Sequence, residues 1–189
     1  MDSQSFIRVF IPIFLCLFFH CFPCQAEAIV KPTTDSILSN ICQRSNDINL
    51  CIQTLKSDSR KPSITDLVNT ANIALENAIK ESTATTSFFN SLQVSDGDQK
   101  KMEAIKDCAR LFQETEGMLN LRGLDGDTAS LDVHYALDNA VNCENLLTQP
   151  NVQIASIPLA IKKWKDSYSV AYAGVVAIEN ALLHFPYAN

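Results

Sequence analysis

Four cysteines carry the clearest chemistry in this 189-residue chain: Cys42, Cys51, Cys108 and Cys143. An even set of thiols in an exported chain reads as a disulfide framework. Three further cysteines, Cys16, Cys21 and Cys24, lie in an N-terminal segment expected to be discarded. Four cysteines allow three pairings, and their spacing separates them. Cys42 and Cys51 flank a break at Arg44-Ser45-Asn46-Asp47, and Cys108 and Cys143 are equidistant from Asp125-Gly126. In an antiparallel helix pair, residues equidistant from the turn lie at the same height. The expected bridges are therefore Cys42–Cys51 and Cys108–Cys143, which need no backbone distortion. The chain-entropy account gives roughly 2.6 kcal/mol for the short loop and about 3.8 kcal/mol for the long one.

Beyond the cysteines the chain offers little equipment for a reaction. His134 and His184 are the histidines outside the leading segment. No Gly-x-Ser-x-Gly elbow supplies a nucleophile for either to activate. A di-iron bundle needs Glu-x-x-His, but Leu131 and Ala181 stand where the glutamates would be. Asp96-Gly97-Asp98 and Asp125-Gly126-Asp127 lack the oxygen ligands of a calcium loop and read as turns running into helix caps. There is no phosphate loop, dinucleotide fingerprint or zinc spacing. Lys162, Lys163 and Lys165 form a small basic cluster of the kind usually found on a solvated helix face. No catalytic residue, metal or cofactor is expected.

The elements that position the cysteines are helices. Residues 33–57 read as two short helices around the Arg44–Asp47 break. Pro62 and Ser63 open a helix to about 93, with Ile64, Leu67, Val68, Ala71, Ala74, Leu75, Ala78 and Ile79 on one face. A helix over 98–121 directs Met102, Ile105, Cys108, Ala109, Phe112 and Leu119 inward. One over 128–147 does the same with Leu131, Val133, Leu137, Ala140, Val141 and Leu147. The last helix alternates steps of four and three through Ile157, Ile161, Trp164, Tyr168, Ala171, Val175, Ile178 and Leu182, a bundle seam. The fold class is all-α: an up-down-up-down four-helix bundle over 62–184, with a helical hairpin over 33–57 as an N-terminal extension.

Val9 to Phe22 holds no charge, and Arg8 precedes it. As a helix it reaches about 21 Å, short of a bilayer core of roughly 30 Å, so it reads as a signal peptide. Cleavage is expected after Ala26, or alternatively after Ala28, leaving 27–189 as one exported domain with no membrane anchor. Loss of 1–26 removes Asp2 and Arg8 and keeps the net charge at −6, which disfavours nucleic acid as a partner. An exported, cross-linked, acidic bundle without catalytic equipment leaves two classes: a protein-binding inhibitor or ligand, and a small-molecule carrier.

The residues ICQRSNDINLCIQTLKSDSR, KDCARLFQETEGML and HYALDNAVNC together resemble the plant invertase/pectin methylesterase inhibitor family over about 36–183. The resemblance implies the same fold, the same two disulfides and no cofactor. It also implies a non-catalytic protein of the cell wall (apoplast) or vacuole that forms a one-to-one complex and obstructs an enzyme's substrate cleft. Invertase-directed members often carry Pro-Lys-Phe in a loop that enters the enzyme. The stretch Ser156-Ile157-Pro158-Leu159-Ala160 keeps only Pro158 of that motif. Pectin methylesterase is therefore the first expected target and invertase the alternative. A non-inhibitory secreted ligand or carrier is a further alternative. For a pectin-directed member the contact comes from exposed bundle faces, here with Lys101, Asp132 and Asn139 as candidates.

Overall fold

The computed structural model describes residues 33–60, 66–93, 98–124, 128–148 and 152–184. The leading segment with its cleavage positions at Ala26 and Ala28, Pro62-Ser63, Asp96-Gly97, Asp125-Gly126-Asp127 and Pro150 lie outside these residues. Six helices follow one another: α1 Thr34–Cys42, α2 Ile48–Ser57, α3 Leu67–Ser91, α4 Gln99–Met118, α5 Ala129–Thr148 and α6 Ser156–His184. None of the described helices is long and apolar enough to cross a membrane.

Each early helix starts on an oxygen that accepts an otherwise orphaned backbone N–H. Thr33 accepts from Ser36 and Asp47 from Leu50; Asp66 accepts from Asn69 and Asp98 from Lys101. Asp66 caps α3, which starts at Leu67 and not at Ser63 as expected. Its carboxylate also meets the positive end of the helix dipole, which a serine hydroxyl would not do.

Helices α3 to α6 close into a four-helix bundle: α3 packs on α4 and α6, and α5 packs on α4 and α6. The α1–α2 hairpin lies against α6 and α3. Asn46 N–H donates to Ser169 Oγ at 2.9 Å and so pins the hairpin tip to α6. Cys42 joins Cys51 with Cα atoms 5.5 Å apart, and Cys108 joins Cys143 at 4.8 Å. All four cysteines are fully buried. Where α3 and α6 cross, Gly174 lets the backbones meet: a Cβ there would lie 3.0 Å from the Ala71 Cβ.

The core is an aromatic stack running between helices. Phe89 of α3 stacks on Phe112 of α4 at 5.6 Å, and Phe112 meets Trp164 of α6 edge-on at 5.3 Å. Trp164 stacks on Tyr168, and Tyr168 on Tyr172. Ser82 sits within the stack, accepting from Trp164 Nε1 at 2.8 Å and from Thr115 Oγ1 at 2.7 Å.

Five residues expected inside stand outside: Val68, Met102, Leu131, Val141 and Leu182 are each 40% exposed or more. The cause is the width of the buried stripe. In α5 the line Ala129, Val133, Ala136, Ala140, Cys143 and Leu147 faces the core. Leu131 and Val141 are turned away from that line by the helix period.

Candidate target-binding surface

The Cys108–Cys143 bridge fixes the height of α4 against α5, and the four candidate contact residues can be placed on that scale. Lys101 sits in the first turn of α4 and pairs with Asp98 at 2.7 Å. This contact holds the Asp98 carboxyl below its ordinary range. Asp132 lies in the first turn of α5, level with Leu119 at the opposite pole. Lys101 and Asp132 are thus separated by about 27 Å along the bundle at 1.5 Å per residue. Pro158 belongs to the Lys101 pole. It stands in the first turn of helix α6, where its missing N–H has no intrahelical partner to lose. The segment Ser156–Ala160, expected to be a loop, is therefore helical. Beside Pro158, Leu159 is 70% exposed.

Asn139 sits between the two poles and faces inward. Its side-chain amide donates to the Leu111 carbonyl of α4 at 3.3 Å and lies 3.9 Å from Met118 Sδ. That amide stitches α5 to α4. The four candidates do not form one patch.

Helices α4 and α5 instead present two contrasting outer faces. The α4 face is charged, with Lys100, Glu103, Asp107, Arg110 and Glu114; Arg110 pairs with Glu114 at 2.7 Å and Asp107 at 3.6 Å. On α5, Leu131, Tyr135, Val141 and Leu146 are 38–51% exposed, interrupted by the single charge of Asp138. Apolar and tyrosine-bearing surface depleted of charge is the composition of an interface core. Between the helices runs an open groove of about 770 Å³, lined by the charged Lys100, Glu103, Asp107 and Arg110 of α4 and by Asn142, Asn145 and Leu146 of α5.

Two groups outside the candidates hold the ends of these helices. Glu179 of α6 is 9% exposed, and its Oε1 accepts the Ser130 N–H at 2.8 Å, so α6 caps the start of α5. Its signal in the sequence is an isolated acid within VVAIENALL, one step off the seam residue Ile178. Arg60 joins Asp58 at 2.8 Å, Asn77 at 3.0 Å and Glu76, tying the segment after α2 to α3. The guanidinium of Arg60 holds the Asp58 carboxyl far below the usual carboxylate range, against the opposing effect of burial. The stretch Ser57-Asp58-Ser59-Arg60 signals this tie in the sequence, but its partners on α3 are visible only in the fold. Among the described residues no group of three or more His, Cys, Asp or Glu side chains converges on a point.

A curated relative, the cell wall / vacuolar inhibitor of fructosidase 2 of Arabidopsis thaliana, is 26% identical over 161 residues. The match covers 82% of this chain and 88% of the relative. The family model described as plant invertase/pectin methylesterase inhibitor matches residues 36–173, from the first helix of the hairpin into the last helix of the bundle. With that span, the bundle, its hairpin and two buried disulfides, the chain belongs to the plant invertase/pectin methylesterase inhibitor family, a family of non-enzymatic inhibitors of carbohydrate-active enzymes.

Proposed function

We propose that the protein is an exported inhibitor of a cell-wall or vacuolar fructosidase (invertase), binding the enzyme one-to-one and obstructing its substrate cleft. The observation that carries this reading is the likeness to the fructosidase inhibitor, which extends over most of both chains. It reverses the order expected from sequence, where the missing Lys-Phe beside Pro158 favoured pectin methylesterase. Because Ser156–Ala160 forms the first turn of a helix, the absent Lys-Phe beside Pro158 weighs less against invertase in this reading. Inhibition of pectin methylesterase is the second reading, favoured by the exposed, charge-poor side of α5, a bundle face of the kind that reading requires. A carrier is disfavoured because Trp164, Phe89 and Phe112 fill the space between the helices and the α4–α5 groove is open. Export follows from the reading of residues 1–26 as a signal peptide removed after Ala26, which N-terminal sequencing of the secreted chain checks.

The test is one preparation assayed against two enzymes. The secreted, oxidised protein should inhibit an acid invertase and leave a pectin methylesterase unaffected. Inhibition of pectin methylesterase alone reverses the assignment. A folded protein inactive on both overturns an inhibitory role.

A further inference from the structure

The α4–α5 groove is polar on both walls, and none of the four candidate contacts lines it. Along α4, Lys100, Glu103, Asp107 and Arg110 follow at steps of three and four, so they share one side of the helix. At 1.5 Å per residue this row spans about 15 Å. Its two cations stand at the ends and its two carboxylates between them, so the row carries no net charge. The facing wall on α5 is uncharged: Asn142 and Asn145, one turn apart, beside Leu146. The Cys108–Cys143 bridge sets the register and brings Asn142 level with residue 109 and Asn145 with residue 106. Both amides therefore stand opposite the stretch between Glu103 and Arg110. Arg110 is engaged by Glu114 and Asp107, and one Glu103 oxygen accepts from Gln99 Nε2 at 2.8 Å. The Asn142 and Asn145 amides and the Lys100 ammonium make no hydrogen bond to any described residue. Each amide keeps an oxygen and two N–H donors available, and the carboxylates keep acceptor capacity.

We propose that this groove binds a short neutral oligosaccharide, its hydroxyls bonded to Asn142, Asn145, Glu103 and Asp107. Each sugar hydroxyl both donates and accepts, so it needs oxygens and N–H donors side by side, which the two walls supply. The balanced row offers no net attraction to a charged ligand. An anion lying along it meets Glu103 and Asp107, and a cation meets Lys100 and Arg110. A peptide docks through side chains that fill apolar pockets, whereas Leu146, 38% exposed, is the one exposed apolar side chain among the described lining residues. The volume of about 770 Å³ lies within the usual range of ligand sites, about 300–1,000 Å³. Because the groove is open, a bound sugar exchanges with solvent and is not enclosed as in a carrier.

The two amides report on the site directly. In the nitrogen-15-labelled, oxidised, secreted protein, the side-chain NH2 resonances of Asn142 and Asn145 are followed by NMR while maltotriose, cellotriose and raffinose are titrated in turn. At least one of these neutral sugars should move both resonances together along one saturating curve. Asn145→Ala and Glu103→Ala, both exposed changes that leave far-UV dichroism unaltered, should each weaken that binding about fivefold or more, as read at Asn142. The charged trimers trigalacturonate and triglucosamine should bind more weakly than the neutral sugar. Lack of saturation with all three neutral sugars overturns the site. Undiminished binding by both variants overturns it too, and so does tighter binding of a charged trimer. None of these outcomes bears on enzyme inhibition, which is assayed without added oligosaccharide.

Discussion

Ser82 holds three helices through one oxygen, taking hydrogen bonds from Trp164 of α6 and Thr115 of α4 while donating to the Ala78 carbonyl of its own helix at 3.1 Å. Ser82→Ala strands the indole N–H in an apolar core. It should cost about 1–3 kcal/mol in urea unfolding and shift Trp164 emission. Asn139→Ala removes the stitch to Leu111 and should cost about 0.5–1.5 kcal/mol of stability. Inhibition per folded molecule should be unchanged, because the amide faces α4 and not a partner. The Asp58–Arg60 contact sets a pH dependence. Since the folded-state pKa of Asp58 is depressed, its contribution is complete above the ordinary carboxylate range and is lost as pH falls through the lower folded value. The stability gap between the native chain and Asp58→Asn should therefore hold steady from about pH 7 to pH 5 and narrow only below about pH 4. Thermal melts across that range check it. In the sequence, Ser57-Asp58-Ser59-Arg60 ends one of the stretches that carry the family resemblance, and Asn139 is a candidate contact residue. Which of them face another helix depends on partners 16 to 28 residues away.

At the scale of elements, two contacts decide where helices sit. Gly174→Val places a branched side chain against Ala71 at the α3–α6 crossing. Overpacking of this kind should cost about 1–3 kcal/mol or more and loosen the hairpin resting on the same helices. Hydrogen exchange over Thr34–Ser57 would register that loosening. The periodicity of α3 to α6 was legible because a buried stripe repeats every 3.6 residues, and the last helix showed it most clearly through its steps of four and three. The outward direction of Val68, Met102, Leu131, Val141 and Leu182 was not legible. Hydrophobicity marks which residues prefer burial, whereas the number of neighbouring helices sets how wide a stripe can be buried. The start of α3 moved to Asp66 for a related reason: several residues before Leu67 could cap, and only one accepts the Asn69 N–H.

For the whole molecule, the two disulfides are part of the core. With all four cysteines fully buried, a reductant reaches them only through opening of the bundle. Inhibition should therefore survive brief treatment with dithiothreitol in native buffer and be lost when the same reductant is added in a few molar urea followed by dilution. Immediate loss in native buffer would contradict the buried placement. The acidic balance of the chain also favours encounter with a basic wall enzyme, with an association rate that falls as salt rises.

Sequence by itself determined the class of helices, the cysteine pairs and the family, because each depends on local periodicity or on residue spacing. Only the tertiary structure decided that Asn139 is an interhelix stitch, that Ser156–Ala160 is helical, that Glu179 caps α5, and that His134 of α5 meets the Tyr172 ring of α6. Those facts depend on the rotation of each helix about its own axis. That rotation is set by packing of the bundle as a whole, which no single segment of the chain encodes.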